Sequence, residues 1–441
     1  MEKSELKVKA LDKISGEIEV PGDKSMSHRA AILAGISNGE CRVSNFLPSE
    51  DCVNTLKAME ALGVKVDIVK SGPHGPVEMV IHGRRMKLEA PDGPIDCGNS
   101  GTGMRLLAGL LAAQPFRSEL TGDASLSGRP MGRIIKPLAE MGAKIEARGE
   151  KAGCAPLVIH GGKLHPITYQ MPVASAQVKS AILLAGMFAE GKTTVVQPAD
   201  CRDHTERMLE QFRVRTRRTG NAITIYGGQM PESTDIEVPG DFSSAAFWIV
   251  AAAGMTGSRL LIKNVGLNPT RTALMDVLLR MGAKIQDQVR TGSEAGEAAG
   301  NIEVHGGILR GTEVKKEEVP NLIDEVPILA VAGALAQGRT VIRNAGELRV
   351  KETDRIATVV EGLRAMGVEV EEHEDGLEVV GGRKLKGARI NSHGDHRIAM
   401  AFAIAGLFAV GETIIENTTC IATSYPGFEE QMKAMRNGLK K

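Results

Sequence analysis

SHRAAILAG, from Ser27 to Gly35, decides the fold, because a stretch of its kind occurs six times. The other copies begin at Thr102 (TGMRLLAGLLAA), Ser175 (SAQVKSAILLAG), Ser243 (SSAAFWIVAAAGM), Asp324 (DEVPILAVAGALA) and Asp395 (DHRIAMAFAIAG), at steps of 75, 73, 68, 81 and 71 residues. Each copy pairs a polar loop with a short helix that is apolar all round. Such a helix has to be buried. Its first turn carries unpaired N–H groups and the positive end of the helix dipole, which attract anions. Four of the six starts place an Arg or Lys in the first few helical residues or in the loop before them. Together they point to a site for a multiply anionic small molecule.

A second element recurs with the same period. LKAMEALGVKVDI, IIKPLAEMGAKIEA, LMDVLLRMGAKIQD and VVEGLRAMGVEVEE are amphipathic helices that end in Gly and run into a strand. ERMLEQFRVRTRR is a weaker copy, and FEEQMKAMRNG a sixth at the C-terminus. Gly just past a last helical turn is the left-handed cap, and the alternating residues after it read as a half-exposed strand. Each repeat is then helix, strand, turn, strand, buried helix, strand, longer than a solenoid rung of about 20–50 residues.

Val20-Pro21-Gly22-Asp23-Lys24-Ser25 returns as Val238-Pro239-Gly240-Asp241-Phe242-Ser243, with three repeats between the copies and three after. This predicts a discontinuous domain of residues 1–21 plus 240–441 around an inserted domain of 22–239, with hinges at Pro21–Asp23 and Pro239–Asp241. The strand from Gly16 to Val20 pairs into the C-terminal half on this reading. A length of 441 residues suits two cores, and hinges of this kind permit closure about a ligand.

Composition removes several classes of function. Fifty-four basic residues balance 54 acidic ones, which leaves no electrostatic footprint for nucleic acid or an anionic membrane. Aromatics are 3%, with one Trp, so stacking platforms for bases are scarce. The longest apolar runs, such as Ile398–Val410, fall short of the roughly 20 residues that span a bilayer. MEKSELKVKA has no apolar core of a signal peptide. Six Cys (41, 52, 97, 154, 201 and 420) show neither metal-ligand nor disulfide spacing, as suits a reducing cytoplasm. The expectation is a cytoplasmic α/β protein.

Lys24-Ser25-Met26-Ser27-His28-Arg29 gathers a point charge, two hydroxyls and a bidentate fork where a loop enters a helix, which reads as an anion site or as a capped helix with solvated charges. Gly98-Asn99-Ser100-Gly101-Thr102-Gly103 lets backbone N–H groups approach an anion, yet it is neither a Walker loop nor GxGxxG, and it also reads as a plain turn. In Leu348-Arg349-Val350-Lys351-Glu352-Thr353-Asp354-Arg355 a helix would put Lys351 and Arg355 on one face, with Glu352 a titrating neighbour; a charged surface helix is the alternative. His393-Gly394-Asp395-His396-Arg397 lacks a third ligand for a metal, so capping is favoured and Arg397 is read as an anion fork. Asp324 is either an N-cap, the slightly favoured reading, or a carboxylate held at the site. Arg129, in GDASLSGRP, is either a loop residue that closes over a ligand or a surface charge.

Taken in order, PGDKSMSHR, GNSGTGMR, GDASLSGRPMGR, ASAQVKSA, RDHTERML, IDEVPILA, LRVKETDR, GDHRIAM and ATSYPGF resemble the 5-enolpyruvylshikimate-3-phosphate (EPSP) synthase family from about Gly16 to Phe428. RDHTE, ASAQVKSA and LRVKETDR are similar to its second bacterial class. The resemblance implies a two-domain inside-out α/β barrel of six βαβαββ repeats, three per domain. It implies transfer of the enolpyruvyl group of phosphoenolpyruvate to the 5-hydroxyl of shikimate 3-phosphate through a tetrahedral intermediate, with release of phosphate. On matching positions Lys24, Ser25, Arg29, Ser175, Ala176, Gln177 and Arg202 hold shikimate 3-phosphate. Lys24, Asn99, Gly101, Arg129, Gln177, Arg355 and Arg397 surround phosphoenolpyruvate, and Lys351 lies near both ligands. Asp324 accepts the 5-hydroxyl proton, Glu352 protonates the methylene carbon, and Lys24 takes part in catalysis. No metal or organic cofactor is implied, and the expected state is a monomer acting on two small molecules.

Three positions depart from the family pattern: Ala176 replaces a second Ser, Thr423 stands where the first class has Lys, and Glu347 where it has Asn. Gly101 stands where some second-class members carry Ala, which leaves room for glyphosate in place of phosphoenolpyruvate. A UDP-N-acetylglucosamine enolpyruvyl transferase would have Lys-Asn at positions 24 and 25 and a Cys in the loop GDASLSGRP; neither is present. An RNA-binding relative would need a basic face and aromatics. A dead repeat scaffold would have lost Lys24, Asp324, Lys351, Glu352, Arg355 and Arg397.

Overall fold

The computed structural model describes residues 4–290 and 296–436. It divides into a terminal unit, Met1–Pro21 with Pro239–Thr291 and Ala298–Lys441, and an inserted unit, Gly22–Val238 with Gly292–Glu297. The apolar stretches form α1 (Lys24–Ile36), α2 (Gly101–Leu111) and α3 (Ala176–Gly186) in the inserted unit. The terminal unit has α4 (Phe242–Gly254), α5 (Val326–Leu335) and α6 (His396–Gly406).

Side chains start five of these helices. Asp23 accepts from Met26 N at 2.8 Å, Ser100 from Gly103 N at 2.9 Å, Ser175 from Val178 N at 3.5 Å, Asp241 from Ser243 N at 2.8 Å and Asp395 from Arg397 N at 2.8 Å. Each bond satisfies a donor that the first helical turn leaves over. Burial along the helices is close to total, and the exceptions are informative. They are Lys24 and Ser25 of α1, Thr102 of α2, Ala176 and Gln177 of α3, Arg397 of α6, and the last residues of α4 and α5.

Among the described residues there are six sheets, and four of them share one plan. In the inserted unit Ile236–Glu237 runs parallel to Glu40–Ser44, which pairs antiparallel with Gly75–His82 and, beyond it, Lys65–Gly72. Ile95–Asp96, Arg117–Thr121, Leu157–His160 and Lys144–Ala147 repeat that order. So do Thr168–Gln170, Lys192–Val196, Ala222–Tyr226 and Thr216–Thr219. The terminal unit has a fourth such sheet, Ser15–Glu19, Arg259–Gly266, Ala299–His305 and Lys284–Val289. Its other two sheets have three strands: Gly338–Ile342, Gly376–Gly381 and Glu369–His373, and Arg389–Asn391, Glu412–Glu416 and Glu5–Lys9. Strands such as Glu40–Ser44 bury alternate residues, Cys41 and Val43, as a sheet covered on one face requires.

The amphipathic helices end as their glycines demand. Gly63, Gly142, Gly282 and Gly367 have φ of 86°, 98°, 87° and 83°. In the weaker copy Arg213 takes the left-handed conformation at φ 60°. Gly438, the closing glycine of the sixth copy, lies outside the described residues. All six cysteines are free. The single tryptophan is core: Trp248 donates to Tyr425 Oη at 2.9 Å and packs against Phe428 at 5.6 Å. No described helix is long and apolar enough to cross a membrane.

The two Val-Pro-Gly-Asp copies lie where the chain passes from one unit to the other. Their glycines answer close approach rather than unusual φ. A Cβ on Gly22 would stand 2.0 Å from Asn45 O, and one on Gly240 would stand 2.8 Å from Val20 Cγ2. Gly22→Ala is therefore expected to lower stability by about 1–3 kcal/mol in chemical denaturation, the cost of overpacking. Gly93→Ala, where a Cβ meets nothing within 4 Å, serves as the neutral control.

Candidate functional site

In the inserted unit the polar starts of α1, α2 and α3 hold a group of cations. Arg29, one turn into α1, is buried and donates from Nε to Thr205 Oγ1 (2.7 Å), from Nη1 to Ser25 O (2.9 Å) and from Nη2 to Ser180 Oγ (2.9 Å). All three acceptors are neutral oxygens, so its charge stays available to an anion. Burial lowers the Arg29 guanidinium to about 10, against Glu206 and Asp23, which raise it. Arg202 is close enough to contribute to the lowering. Lys24 meets Asp51, near the start of the following helix (Glu50–Ala61), at 2.5 Å. His28 touches Thr55 Oγ1 at 2.8 Å and Ser100 Oγ at 3.3 Å, which ties α1 to α2. Burial, with the Lys24 and Arg29 charges beside it, holds the His28 imidazole well below its ordinary 6.5.

The glycine-rich turn has a reason for each glycine. Gly98 has φ +54°, and its Cβ would meet Asn54 Nδ2 at 2.4 Å. A Cβ on Gly101 would stand 3.0 Å from Arg105 Nη1 and 3.3 Å from Arg129 Nη1, and one on Gly103 would stand 2.8 Å from Thr55 Oγ1. Arg129 is buried rather than a surface charge: its Nη2 donates to Asn99 Oδ1 at 2.6 Å and Ser125 Oγ at 3.2 Å. Asn99 in turn donates to Asp123 at 2.7 Å. Gln177 accepts from Arg105 and donates to Thr102 Oγ1 at 2.9 Å.

The terminal unit arranges its charges differently. Arg355 is 1% exposed and lies among three carboxylates. Its Nε donates to Asp395 Oδ2 at 2.7 Å, its Nη2 to Glu352 Oε2 at 2.6 Å and its Nη1 to Asp324 Oδ1 at 3.3 Å. Burial alone would lower Arg355, yet Asp395, Glu352 and Asp324 outweigh it and raise the group well above its ordinary value. Arg397 donates to Asp324 O at 3.0 Å and Glu325 Oε1 at 3.4 Å, and stands 3.8 Å from Asp324 Oδ2. Glu325, fully buried, also accepts from Ser243 Oγ, which Arg271 meets at 2.5 Å. Lys351 lies 3.6 Å from Glu347.

Several expectations are corrected. Lys351 and Arg355 do not share a helix face: a 3-10 turn (Gly346–Val350) precedes them, and Asp354 caps a helix that begins at Arg355 by accepting from Ala357 N at 3.0 Å. Asp324 caps nothing. It sits in a 3-10 turn (Ile323–Glu325) before α5, which has no side-chain cap and carries Pro327 in its first turn, where no N–H needs one. Its carboxylate goes instead to Arg355 and Arg397. Asp395 caps α6 and pairs with Arg355, while His393 lies 3.6 Å from Glu361. Thr423 turns its hydroxyl to Cys420 O at 2.8 Å. Sequence reasoning passed over Asp51, Arg105, Lys179, Ser180, Thr205 and Glu325. Arg105 and Lys179 were detectable as single charges inside otherwise apolar helices.

The chain matches the family EPSP synthase (3-phosphoshikimate 1-carboxyvinyltransferase) over residues 8–432. It is 59% identical over 425 residues to the 3-phosphoshikimate 1-carboxyvinyltransferase of Akkermansia muciniphila, which covers 96% of this chain and 98% of the relative. The Desulforudis audaxviator enzyme of the same name is 48% identical over 432 residues, 98% of this chain and 99% of the relative. Among solved structures, EPSP synthase from Acinetobacter baumannii superposes with a TM-score of 0.86 at 45% identity, covering 99% of this chain and 98% of that one. The enolpyruvyl transferase NikO from Streptomyces tendae, at 19% identity and a TM-score of 0.76, shares the fold.

His28 generates a pH dependence. Below pH 6.5 the unfolded chain takes up a proton on His28 that the folded chain resists. Its share of stability is thus present above that pH and falls away by about 1.4 kcal/mol per unit as the medium becomes more acid. His28→Gln removes that share of the slope. Ring-nitrogen chemical shifts that change through the ordinary 6.5 would overturn the assignment.

Proposed function

The chain belongs to the EPSP synthase family and transfers the enolpyruvyl group of phosphoenolpyruvate to shikimate 3-phosphate; on that premise we propose that the polar helix starts hold the substrates. The observation that carries this reading is the short set of residues left unburied at those starts: Lys24, Ser25, Thr102, Ala176, Gln177 and Arg397. Five of these six are also positions that the family motifs assign to ligand contact; Thr102 is the addition.

Shikimate 3-phosphate is held by Lys24, Ser25, Arg29, Ser175, Ala176, Gln177 and Arg202, with Lys351. The neutral partners of Arg29 support this role, since a buried guanidinium without a carboxylate on its hydrogen bonds favours a phosphate. Phosphoenolpyruvate is held by Lys24, Asn99, Gly101, Arg129, Gln177, Arg355 and Arg397. Asp324 takes the proton of the 5-hydroxyl. Glu352 delivers a proton to the methylene carbon of phosphoenolpyruvate, which makes the adjacent carbon electrophilic, and the deprotonated oxygen bonds to it. Loss of the methyl proton and departure of phosphate then restore the double bond. Acid and base must be separate groups, and Arg355 holds both, Glu352 at 2.6 Å and Asp324 at 3.3 Å. Lys24 adds positive charge beside the leaving phosphate.

The six sheets and six buried helices are, on this reading, copies of one βαβαββ unit in an inside-out α/β barrel; the strand order common to four of the sheets supports it. The chain works as a cytoplasmic monomer without a cofactor.

Phosphate release by purified protein is the test, with each substrate omitted in turn. Release that needs both substrates is expected, and Asp324→Asn and Glu352→Gln should each lower kcat by about 10²–10⁴. A full rate in either variant would remove that residue from its role. Gly101→Ala places a methyl against Arg105 and Arg129. It is expected to raise KM for phosphoenolpyruvate and weaken inhibition by glyphosate, and unchanged inhibition would sink the steric account.

A further inference from the structure

Lys179 lies on α3, two residues beyond Gln177, in a helix otherwise almost wholly apolar, and its side chain is 1% exposed. An ammonium has three hydrogens, and here each has an acceptor: Glu206 Oε1 at 2.6 Å, Cys201 O at 3.2 Å and Gln197 Oε1 at 3.3 Å. These acceptors span the segment between the strand Lys192–Val196 and the helix His204–Gln211, a stretch without regular secondary structure. Backbone in such a stretch has no ladder to fix it, so side chains must set its path. Gln197 also donates to Asp200 at 3.0 Å, and Cys201 Sγ to Gln197 Oε1 at 3.3 Å.

That segment supplies Arg202, one of the shikimate 3-phosphate residues of the reading above. Arg202 follows the carbonyl that Lys179 holds. Thr205, one residue before Glu206, accepts from Arg29 Nε and meets Ser180 Oγ at 2.6 Å. Ser180 is the residue after Lys179 and also accepts from Arg29. One buried ammonium thus ties α3 to the turn carrying Arg202 and to the helix whose Thr205 orients Arg29. An apolar side chain would fill the same volume in α3 but would leave the turn untied.

We propose that Lys179 is a positioning residue for shikimate 3-phosphate, fixing Arg202 and, through Thr205, Arg29 for the phosphate while touching no substrate itself. The proposal rests on the assignment of these arginines to shikimate 3-phosphate. It is tested with Lys179→Met, the double variant Lys179→Met/Glu206→Gln, and Arg202→Ala as reference. The readouts are melting temperature, Kd for shikimate 3-phosphate by titration calorimetry, and KM for each substrate. Lys179→Met alone takes from the part-buried Glu206 carboxylate its 2.6 Å ammonium partner, so it is expected to melt early. The double variant removes both charges and should melt near the parent. It should still bind shikimate 3-phosphate about tenfold more weakly, because the Cys201 and Gln197 anchors are gone. KM for phosphoenolpyruvate and kcat should move less than about twofold. Parental affinity in the folded double variant, with Arg202→Ala impaired, would reduce Lys179 to a counter-charge for Glu206 and overturn the proposal alone. Parental affinity in both would overturn the arginine assignment as well. A double variant that does not fold would make Lys179 a core residue and equally overturn it.

Discussion

A helix with no polar face has to be surrounded along its whole length, and its ends are then the only places where polar chemistry meets it. Six such helices lie in the cores of the two units. In α4 and α5 burial runs from the first residue to the one before the last, and in α1, α2, α3 and α6 it stops only at one or two residues near the N-terminus. The caps, the glycine-rich turn and the convergence of Arg and Lys all follow from that restriction. The helix start is where unpaired N–H groups and the positive end of the dipole lie, so an anion-binding chemistry and an apolar core are compatible in one short segment.

The two units use the restriction in opposite ways. In the inserted unit Arg29 donates to two hydroxyls and a carbonyl, while the carboxylates that act on it stand off its hydrogen bonds. In the terminal unit Arg355 is neutralised by Asp395, Glu352 and Asp324, and its charge serves to hold carboxylates. An anionic substrate suits the first arrangement and proton transfer suits the second. Net charge of the chain, which is zero, conceals both.

Local chemistry made much of this legible. The start of each buried helix was readable to within a few residues, because a short side chain such as Ser100 or Asp395 can take an N–H two or three residues away without help from elsewhere. Glycine at helix ends was readable for the same reason, and even the copy without it keeps the left-handed residue, at Arg213. Where a reading failed, a competing cap nearby or a distant partner had intervened. Spacing suggested that Lys351 and Arg355 share a helix, but Asp354 starts the helix at Arg355, and the residues before it belong to a 3-10 turn. Asp324 looked like a cap, yet two arginines 31 and 73 residues away claim its carboxylate and carbonyl. Arg129 read equally as a residue closing over a ligand or as a surface charge, and its burial, with a bond to Asn99 30 residues earlier, removes the second.

The sequence by itself therefore determined the six apolar helices, the period that spaces them and the residue types at their starts, since each depends on neighbours a few positions apart. Only the tertiary structure decided which oxygen each cation meets. Arg29 finds Ser180 and Thr205 from 151 and 176 residues away, and Arg355 finds Asp395 from 40. Those pairings arise when sheets close over the apolar helices and bring their N-termini together, a result of packing that no short stretch of sequence encodes.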